Sequence, residues 1–381
     1  MLLNVIFLYW AAPSALPNIK VIINIIDNAY RALAHRLDQI PNGFPRTESG
    51  VELKLLAKLF TPEEAALASS MSLEHQTSQV IAANNNLDES HVKSLLIGMV
   101  KKGLIDLRRQ EGLGLMFGLI PFVVGFYERQ NANIDKEFAE FFEAYYKESF
   151  HKVMTMEPSV HRIIPIEKTI PVNIDVMPYE KASTYLNSAS SWGVLKCICR
   201  VQKELIGQGC DHPVENCLVF SSRPGAFDRT DDIRSIIMEE ALQILEEADR
   251  AGLVHSTSNS TDEVTYICNC CTCSCGILRG MVEYGSGHSI ARSDFYASVD
   301  DILCSGCEIC LERCQFNALG MNNGVCTVNK TSCYGCGLCV SACPDEAITL
   351  LQKSPEEIDP PPATEEEWRK KRGIERQKVN Q

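Results

Sequence analysis

Two cysteine runs near the C-terminus have the residue type and spacing that bind iron–sulfur clusters. In each run, two residues separate the first three cysteines, and three residues precede the fourth. The runs are Cys304, Cys307, Cys310 and Cys314, and Cys333, Cys336, Cys339 and Cys343. Two-residue spacing lets a short loop wrap one cubane, while the fourth thiolate can reach a neighbouring cluster. The chemistry indicated is the transfer of single electrons.

An internal repeat supports this interpretation. The second run begins 29 residues after the first, and the residues around the two runs align. Two structural zinc sites are the alternative, but the third cysteine of each run fits a cluster better than a zinc site built from cysteine pairs. Disulfides are disfavoured because a cluster domain needs a reducing compartment.

Residues 300–352 resemble the two-cluster bacterial ferredoxin domain. The resemblance implies two [4Fe–4S] clusters that exchange their fourth ligands. The implied ligand sets are Cys304, Cys307, Cys310 and Cys343 for one cluster, and Cys333, Cys336, Cys339 and Cys314 for the other. Gln315 stands where the family often has proline after the first run, which puts the local turn in doubt. Cys326 lies on the apolar side of the intervening hairpin, so we expect it in the core.

Nine further cysteines fall between residues 161 and 299 in two groups that match no standard ferredoxin run. The groups are Cys197, Cys199, Cys210 and Cys217, and Cys268, Cys270, Cys271, Cys273 and Cys275. We predict at least one further iron–sulfur cluster here, because so many thiols in a short segment are hard to explain by packing. A zinc site and reduced thiols in an apolar interior are the alternatives.

The residues around these thiols refine the prediction. Arg200 directly follows Cys199 and could offset the negative charge of a cluster. In a strand, Cys268 and Cys270 would share one face, and Cys271, Cys273 and Cys275 would point to the other, so that two ligand sets could diverge. His212 and His255 lie close in sequence to the two groups, although a single histidine is more often a core residue than a ligand.

Composition limits the class of protein. The chain has 381 residues, enough for two or three domains, and a net charge of −13. This charge argues against nonspecific binding to nucleic acid or anionic membranes, and it suits docking on basic patches of redox partners. Eighteen clustered cysteines indicate metal binding and a cytoplasmic location. Prolines interrupt the apolar residues 1–27, so we expect an irregular N-terminal arm and no membrane insertion.

The order of these features predicts an α+β multidomain protein. We expect a helical, winged-helix-like domain, a mixed α/β cysteine-rich domain, the ferredoxin-like domain and a charged, solvated or partner-docking tail. The predicted bounds are 28–160, 161–299, 300–352 and 353–381.

The winged-helix resemblance covers roughly residues 52–118. Thr61 and Glu64 form a capping-box pattern, Asp88 begins a second helix, and residues 104–118 suit a hairpin. Residues 61–118 carry five basic and seven acidic side chains, whereas DNA-reading domains are usually basic. We therefore expect a protein-interaction or dimerisation module, in a homodimer or a larger complex, and no DNA partner.

Residues 28–352 as a whole resemble cysteine-rich iron–sulfur proteins of anaerobic bacteria, and this resemblance implies electron transfer. The favoured function is an electron-transfer protein or subunit that serves a partner oxidoreductase. The alternatives are an oxidoreductase with an additional active cluster in the middle domain, and a redox- or iron-sensing winged-helix regulator. The sequence has no P-loop, dinucleotide fingerprint or Ser–His–Asp order, so we assign no catalytic residue.

Overall fold

A computed structural model describes residues 19–172, 176–228, 230, 232–262, 264–285 and 287–379. Its fold is mixed α/β, and the chain divides into two compact units, Met1–Val153 and Met154–Gln381. The first 18 residues of the predicted N-terminal arm lie outside the described residues. Residues 19–27, which we expected to be irregular, instead belong to the helix Ile19–Gln39.

Helices make up most of the first unit. They are Ile19–Gln39, Val51–Leu59, Pro62–Ala68, Ser78–Asn85, Glu89–Lys101 and Lys136–Tyr145, followed by the π-helical turn Tyr146–Phe150 and the short helix His151–Met154. The predicted capping box is confirmed, since Thr61 Oγ1 accepts a bond from the Glu64 N–H and the Glu64 carboxylate accepts one from the Thr61 N–H. Asp88 caps the next predicted helix by accepting a bond from the His91 N–H.

A small antiparallel sheet completes this unit. Its strands are β1 (Gln76–Thr77), β2 (Ile105–Gln110) and β3 (Gly114–Leu119), in the order β1-β3-β2. The strand β1 directly precedes the helix Ser78–Asn85, and the hairpin follows the helix Glu89–Lys101. Buried leucine and phenylalanine side chains from helices and hairpin form the core beneath the sheet.

The second unit is built on a seven-stranded sheet. Its strands are β4 (His161–Ile163), β5 (Ser191–Lys196), β6 (Glu215–Ser221), β7 (Arg234–Ile236), β8 (Val254–Ser258), β9 (Tyr266–Cys270) and β10 (Ile290–Ala291). Their order is β10-β4-β8-β9-β6-β5-β7, and only the β10–β4 pair is parallel. The helix Met238–Arg250 covers the sheet with Ala241, Ile244 and Leu245, which pack against apolar residues of β5 and β6.

Short helices connect these strands. They are Ala182–Asn187, Ile198–Leu205 and Arg279–Tyr284, with 3₁₀ turns at Glu167–Thr169 and Pro178–Glu180. Within the described parts of the chain, no helix is both long and apolar enough to cross a membrane.

The C-terminal part of this unit contains both cysteine runs. Its strands are β11 (Phe295–Val299), β12 (Leu319–Asn322), β13 (Val325–Val328) and β14 (Ile348–Gln352), and its helices are Ile309–Arg313 and Leu338–Ala342. Strand β11 pairs with β14, and β12 pairs with β13. The pairing of Phe295 with Gln352 extends the ferredoxin-like segment to residues before our predicted start at 300, because its last strand needs a partner.

The charged tail contains the helix Glu365–Val379, which packs on the second unit. Trp368 is buried and its indole N–H donates to the Ser159 carbonyl at 2.9 Å. The fully buried Arg372 donates to the Pro158 carbonyl at 2.7 Å. One face of this helix is therefore anchored, which differs from the solvated tail we expected from its charged sequence.

Candidate iron–sulfur and metal centres

The first cysteine run opens onto a cavity of about 310 Å³. Cys304, Cys307 and Cys310 line it together with Cys343, which belongs to the second run. Met321, Ala347 and Ile348 are among the other lining residues, so the walls between the thiols are largely apolar. Cys307 is exposed, which brings this cavity to the protein surface.

The second run opens onto a cavity of about 340 Å³. Its thiols come from Cys333, Cys336, Cys339 and, from the first run, Cys314. The structure thus brings together each combination of four cysteines that the ferredoxin resemblance implies. Four thiols around a mostly apolar cavity suit the donor set of a [4Fe–4S] cluster.

The repeat extends to the backbone of the two loops. Gly306 and Gly335, which are equivalent in the repeat, have φ angles of 73° and 69°. Glu308 and Gly337, also equivalent, have φ angles of 63° and 84°. A Cβ atom on Gly335 would collide with the Phe295 carbonyl, so this loop needs glycine for space as well as for its left-handed conformation.

Backbone amides donate to thiols of both cavities. The N–H of Cys326 lies 3.4 Å from Cys304 Sγ, that of Ala318 lies 3.3 Å from Cys314 Sγ, and that of Ala297 lies 3.4 Å from Cys333 Sγ. Such bonds stabilise the more negative, reduced state of a cluster. Burial raises the pKa of Cys336 to about 12, so metal binding must displace the proton of this thiol.

Cys326 is a fifth thiol beside the first cavity. It is buried, as expected, and its Sγ lies 3.5 Å from Cys310 Sγ. Burial raises its pKa to about 12, with a further contribution from the hydrogen bond to Cys310. A raised pKa keeps this thiol protonated and neutral, which suits a wall residue better than a ligand.

The second cavity lies beside the large sheet. The Ile166 N–H donates to the Cys336 carbonyl at 3.0 Å, just after strand β4. The Ser341 hydroxyl donates to Asp249 Oδ1 at 2.6 Å, at the end of the helix Met238–Arg250. These bonds hold the second cysteine loop against the part of the unit that contains the other nine cysteines.

Six of these nine cysteines are neighbours in a closed ring, here called the six-thiol ring, in which each thiol shifts the pKa of the next. In ring order they are Cys197, Cys199, Cys275, Cys270, Cys268 and Cys217. Three adjacent strands build it, since Cys197 follows β5, Cys217 is on β6, and Cys268 and Cys270 are on β9. The register that pairs Leu218 with Ile267 puts Cys217 beside Cys268.

Two ring thiols have a lowered pKa. Bonds from Cys199 and Cys217 lower the pKa of Cys197, although burial opposes this. Bonds from Cys268 and Cys275 lower the pKa of Cys270 to about 6. Thiolates are the form that binds metal, so Cys197 and Cys270 are the ring thiols prepared for ligation. The pKa values of the other four ring thiols are raised, so a metal must displace their protons.

Arg200 is the cation beside the ring. It is 2% exposed, and its Nη2 donates to the Asn269 carbonyl at 2.7 Å, between Cys268 and Cys270. Its Nη1 donates to Asn216 Oδ1 at 2.9 Å, next to Cys217. Although burial opposes it, the nearby thiols raise the pKa of Arg200, so its positive charge is retained.

The remaining three cysteines converge with a histidine. The group, here called the Cys–His quartet, consists of Cys210, His212, Cys271 and Cys273, and its four ligand atoms lie within 4.8 Å of one another. A hydrogen bond from Cys273, together with the charges of Arg200 and His212, lowers the pKa of Cys271 to about 5. Within the described ranges, no other group of three or more potential ligands is equally compact.

The structure therefore regroups the two predicted sets. Cys210 leaves its sequence neighbours and joins Cys271 and Cys273. Cys275 lies with Cys268 and Cys270 in the ring, and not with Cys271 and Cys273 as strand alternation predicted, because the strand ends at Cys270. Spacing along the chain could not reveal this, because the strand pairing of β5, β6 and β9 decides which thiols meet. A single histidine is a weak sign of a metal ligand, and the position of His212 two residues after Cys210 was the available signal. His255 instead bonds to Asn269 Oδ1 at 2.6 Å.

Gln315 connects the ferredoxin-like segment to the quartet. Its Oε1 accepts bonds from the Thr272 N–H at 3.0 Å and from the Thr272 hydroxyl at 2.8 Å. Its Nε2 donates to the Gly252 carbonyl at 2.8 Å. Thr272 lies between two quartet cysteines, and Gln315 follows Cys314 directly. Proline at this position could not make these bonds, because it has no side-chain amide.

Residues 326–349 match the 4Fe–4S binding domain family. The match contains the whole second run and Cys326, and it supports at least one [4Fe–4S] site in this part of the chain. Comparisons with curated proteins and with solved structures gave no match. The assignment of the first run and of the middle cysteines as ligands therefore depends on their spacing and geometry.

Proposed function

We propose that this protein is an iron–sulfur electron-transfer protein that holds two [4Fe–4S] clusters in its ferredoxin-like segment. The observation that carries the proposal is the exchange of Cys314 and Cys343 between the two four-cysteine cavities. Bound clusters would accept and donate single electrons. The chain itself supplies the thiolates, the N–H···S bonds and the apolar walls that tune the potential.

The two cavities differ in exposure, which supports electron transfer between a partner protein at the surface and the interior of the unit. Cys307 is exposed, so a partner protein can approach the first cavity closely. In the second cavity, Cys333 and Cys339 are buried, and the Cys336 carbonyl accepts a bond from the Ile166 N–H. The net charge of −13 suits an electron-transfer partner with a basic docking patch. A soluble partner oxidoreductase in the cytoplasm is the corresponding proposal.

The six-thiol ring is proposed as a third, buried iron–sulfur centre. Among the described residues, the ring thiols do not form a group compact enough to hold a single metal ion. Thiolates on different metal atoms of a cluster stand farther apart, because a metal–metal separation intervenes. Arg200 would offset part of the negative charge of such a centre.

An oxidoreductase whose substrate reacts at the ring is the second candidate. It is favoured by the number of thiols, since six exceed the four that a [4Fe–4S] cluster uses. Burial argues against it, because Cys197, Cys270 and Cys275 are each at most 7% exposed. We therefore rank storage or transfer of electrons above substrate chemistry at this centre.

The first unit is proposed to be a winged-helix-like interaction module. The order of helix, short strand, two helices and hairpin supports this assignment. Several of its cations are paired with acids, as in Lys102 with Glu64 at 2.7 Å and Arg129 with Asp106 at 3.0 Å. Paired cations neutralise few DNA phosphates, so a protein partner or a second copy of the chain is favoured over DNA.

The proposal is tested on full-length protein purified without oxygen. Iron and acid-labile sulfide are quantified, and EPR spectra are recorded after reduction with dithionite. We expect equal amounts of iron and sulfide, at or above the content of two [4Fe–4S] clusters, and signals from reduced clusters that interact magnetically. Protein that contains iron without sulfide, or no iron after anaerobic reconstitution, would rule out the proposed function.

A further inference from the structure

The Cys–His quartet differs in geometry from every other thiol group described above. Cys271 Sγ lies 3.0 Å from Cys273 Sγ and 4.0 Å from Cys210 Sγ. His212 Nδ1 lies 3.4 Å from Cys210 Sγ and 3.7 Å from Cys273 Sγ. The four atoms therefore surround a single point, rather than the corners of a larger cavity.

Three of these separations lie within about 0.2 Å of those in the ligand sphere of one tetrahedral ion, and the Cys271–Cys273 separation is about 0.8 Å shorter. With Zn–S bonds of about 2.3 Å and Zn–N bonds of about 2.0 Å, tetrahedral angles put neighbouring sulfurs about 3.8 Å apart and sulfur and nitrogen about 3.5 Å apart. Three thiolates and one imidazole form one of the donor sets typical of structural zinc. From this geometry we infer that Cys210, His212, Cys271 and Cys273 bind one Zn²⁺ ion, separately from the iron–sulfur clusters.

The surroundings of the quartet suit a charged zinc centre. Zn²⁺ with three thiolates and a neutral imidazole carries a net charge of −1. Arg200 lies beside Cys271 and supplies the compensating positive charge. The Ser274 hydroxyl lies 3.5 Å from Cys210 Sγ and can donate to that thiolate. Cys273 is exposed, so the ion can reach the site from solvent.

The zinc ion would connect two segments that lie far apart in sequence. Cys210 and His212 belong to the loop between the helix Ile198–Leu205 and strand β6, whereas Cys271 and Cys273 belong to the turn after β9. The same turn carries Thr272, which bonds to Gln315 beside Cys314. The ion therefore fixes the turn that lies between the six-thiol ring and the second four-cysteine cavity.

Zinc K-edge X-ray absorption of the full-length protein tests this inference, because the method is element-specific and iron does not mask it. After dialysis against a weak chelator, we expect one zinc per chain with a shell of three sulfurs at about 2.3 Å and one nitrogen at about 2.0 Å. His212→Ala should remove the nitrogen from this shell, and Cys273→Ser should lower the zinc content. Cys326→Ser, which changes a buried thiol outside the quartet, should leave both unchanged.

The wild-type spectrum alone decides the question if a variant does not fold. A protein without retained zinc, a four-sulfur shell, or a shell of oxygen and nitrogen only would overturn the inference. So would sulfide-free iron bound in place of zinc. Zinc bound as expected to a protein without iron–sulfur signals would refute the electron-transfer proposal and leave the zinc site standing, so the two failures are distinguishable.

Discussion

Cys270 and Cys271 are adjacent in the chain, yet they belong to different thiol groups. Cys270, the last residue of strand β9, belongs to the six-thiol ring, and its Sγ lies 3.7 Å from the Ser256 hydroxyl. Cys271 belongs to the Cys–His quartet, and its Sγ lies 3.0 Å from Cys273 Sγ. Neighbouring strand residues point to opposite faces, so a pair of adjacent cysteines can serve two centres.

This relationship predicts that serine at the two positions affects different metals. Cys270→Ser should lower the iron and sulfide content and leave the zinc content unchanged. Cys271→Ser should lower the zinc content and spare most of the iron. Metal analysis and visible absorption of the two variants, prepared side by side, check this. Equal losses of both metals in both variants would mean that the two groups form one centre.

The Gln315 side chain is predicted to stabilise the contact between the second cavity and the quartet. Gln315→Ala removes three hydrogen bonds, two with Thr272 and one with Gly252, and should lower stability by about 1–3 kcal/mol. Faster amide hydrogen exchange at residues 271–275 should accompany the loss. Gln110→Ala, at an exposed position on β2, is the control. Unchanged exchange at the turn would show that the contact is not stabilising.

Sequence spacing indicates which cysteines meet in the ferredoxin-like segment but not in the middle segment, for a physical reason. In the ferredoxin-like segment, ligands two residues apart lie on one local loop, so spacing alone brings Cys304, Cys307 and Cys310 around one cavity. In the middle segment, Cys217 and Cys268 meet only because β6 and β9 are neighbours in the sheet. Such non-local pairing leaves no regular spacing in the sequence.

The tail illustrates a second limit of sequence reasoning. Its charge pattern predicted a solvated helix or a partner-docking tail, but Arg372 is fully buried and donates to backbone carbonyls of the same chain. A buried arginine that satisfies carbonyls of a distant segment cannot be distinguished by sequence from one at the surface. In contrast, the Thr61–Glu64 capping box is local and was predicted from four residues.

Gly335 is predicted to be essential for the second cysteine loop. In Gly335→Ala, the new Cβ would collide with the Phe295 carbonyl and the Ser293 hydroxyl, in addition to the cost of a φ angle of 69°. We expect loss of the cluster bound by the second run. Gly324→Ala is the matched control, because its φ angle is 80° and no atom lies within 4 Å of its Cβ position. The control should lower the free energy of unfolding by only about 1–2 kcal/mol. Equal iron content in both variants would show that the second loop does not need glycine at position 335.

A buried group of charges predicts a pH-dependent stability. Arg162 on β4 donates to Glu180 Oε1 at 2.5 Å and lies 3.9 Å from Asp294 Oδ1, and all three side chains are buried. Burial, followed by the charge of Asp294, raises the pKa of Glu180 to about 7, although Arg162 opposes the shift. The folded protein therefore holds a proton at Glu180 that the unfolded chain releases at lower pH.

The sign follows from this difference in proton binding. Between the pKa of Glu180 in the unfolded chain and about 7, the folded state binds more protons, so stability falls as the pH rises. From pH 5.5 to 7.5 the loss should be about 2 kcal/mol. Thermal unfolding of Glu180→Gln should lack this component, while Glu246→Gln, at an exposed position, should retain it. A constant difference in stability between wild type and Glu180→Gln across this range would refute the prediction.

The exchange of the fourth cysteines is the central claim, and EPR of two matched variants tests it most directly. Cys314→Ser and Cys343→Ser each remove one fourth ligand, which lies in the cavity of the other run. In the dithionite-reduced protein, Cys314→Ser should alter the signal of the cluster bound by Cys333, Cys336 and Cys339, and Cys343→Ser should alter that of the cluster bound by Cys304, Cys307 and Cys310. The two variants should thus retain different unaltered signals, assigned with Cys336→Ser and Cys307→Ser as references. If Cys314→Ser matched Cys307→Ser and Cys343→Ser matched Cys336→Ser, each run would bind its own cluster and the account would be wrong.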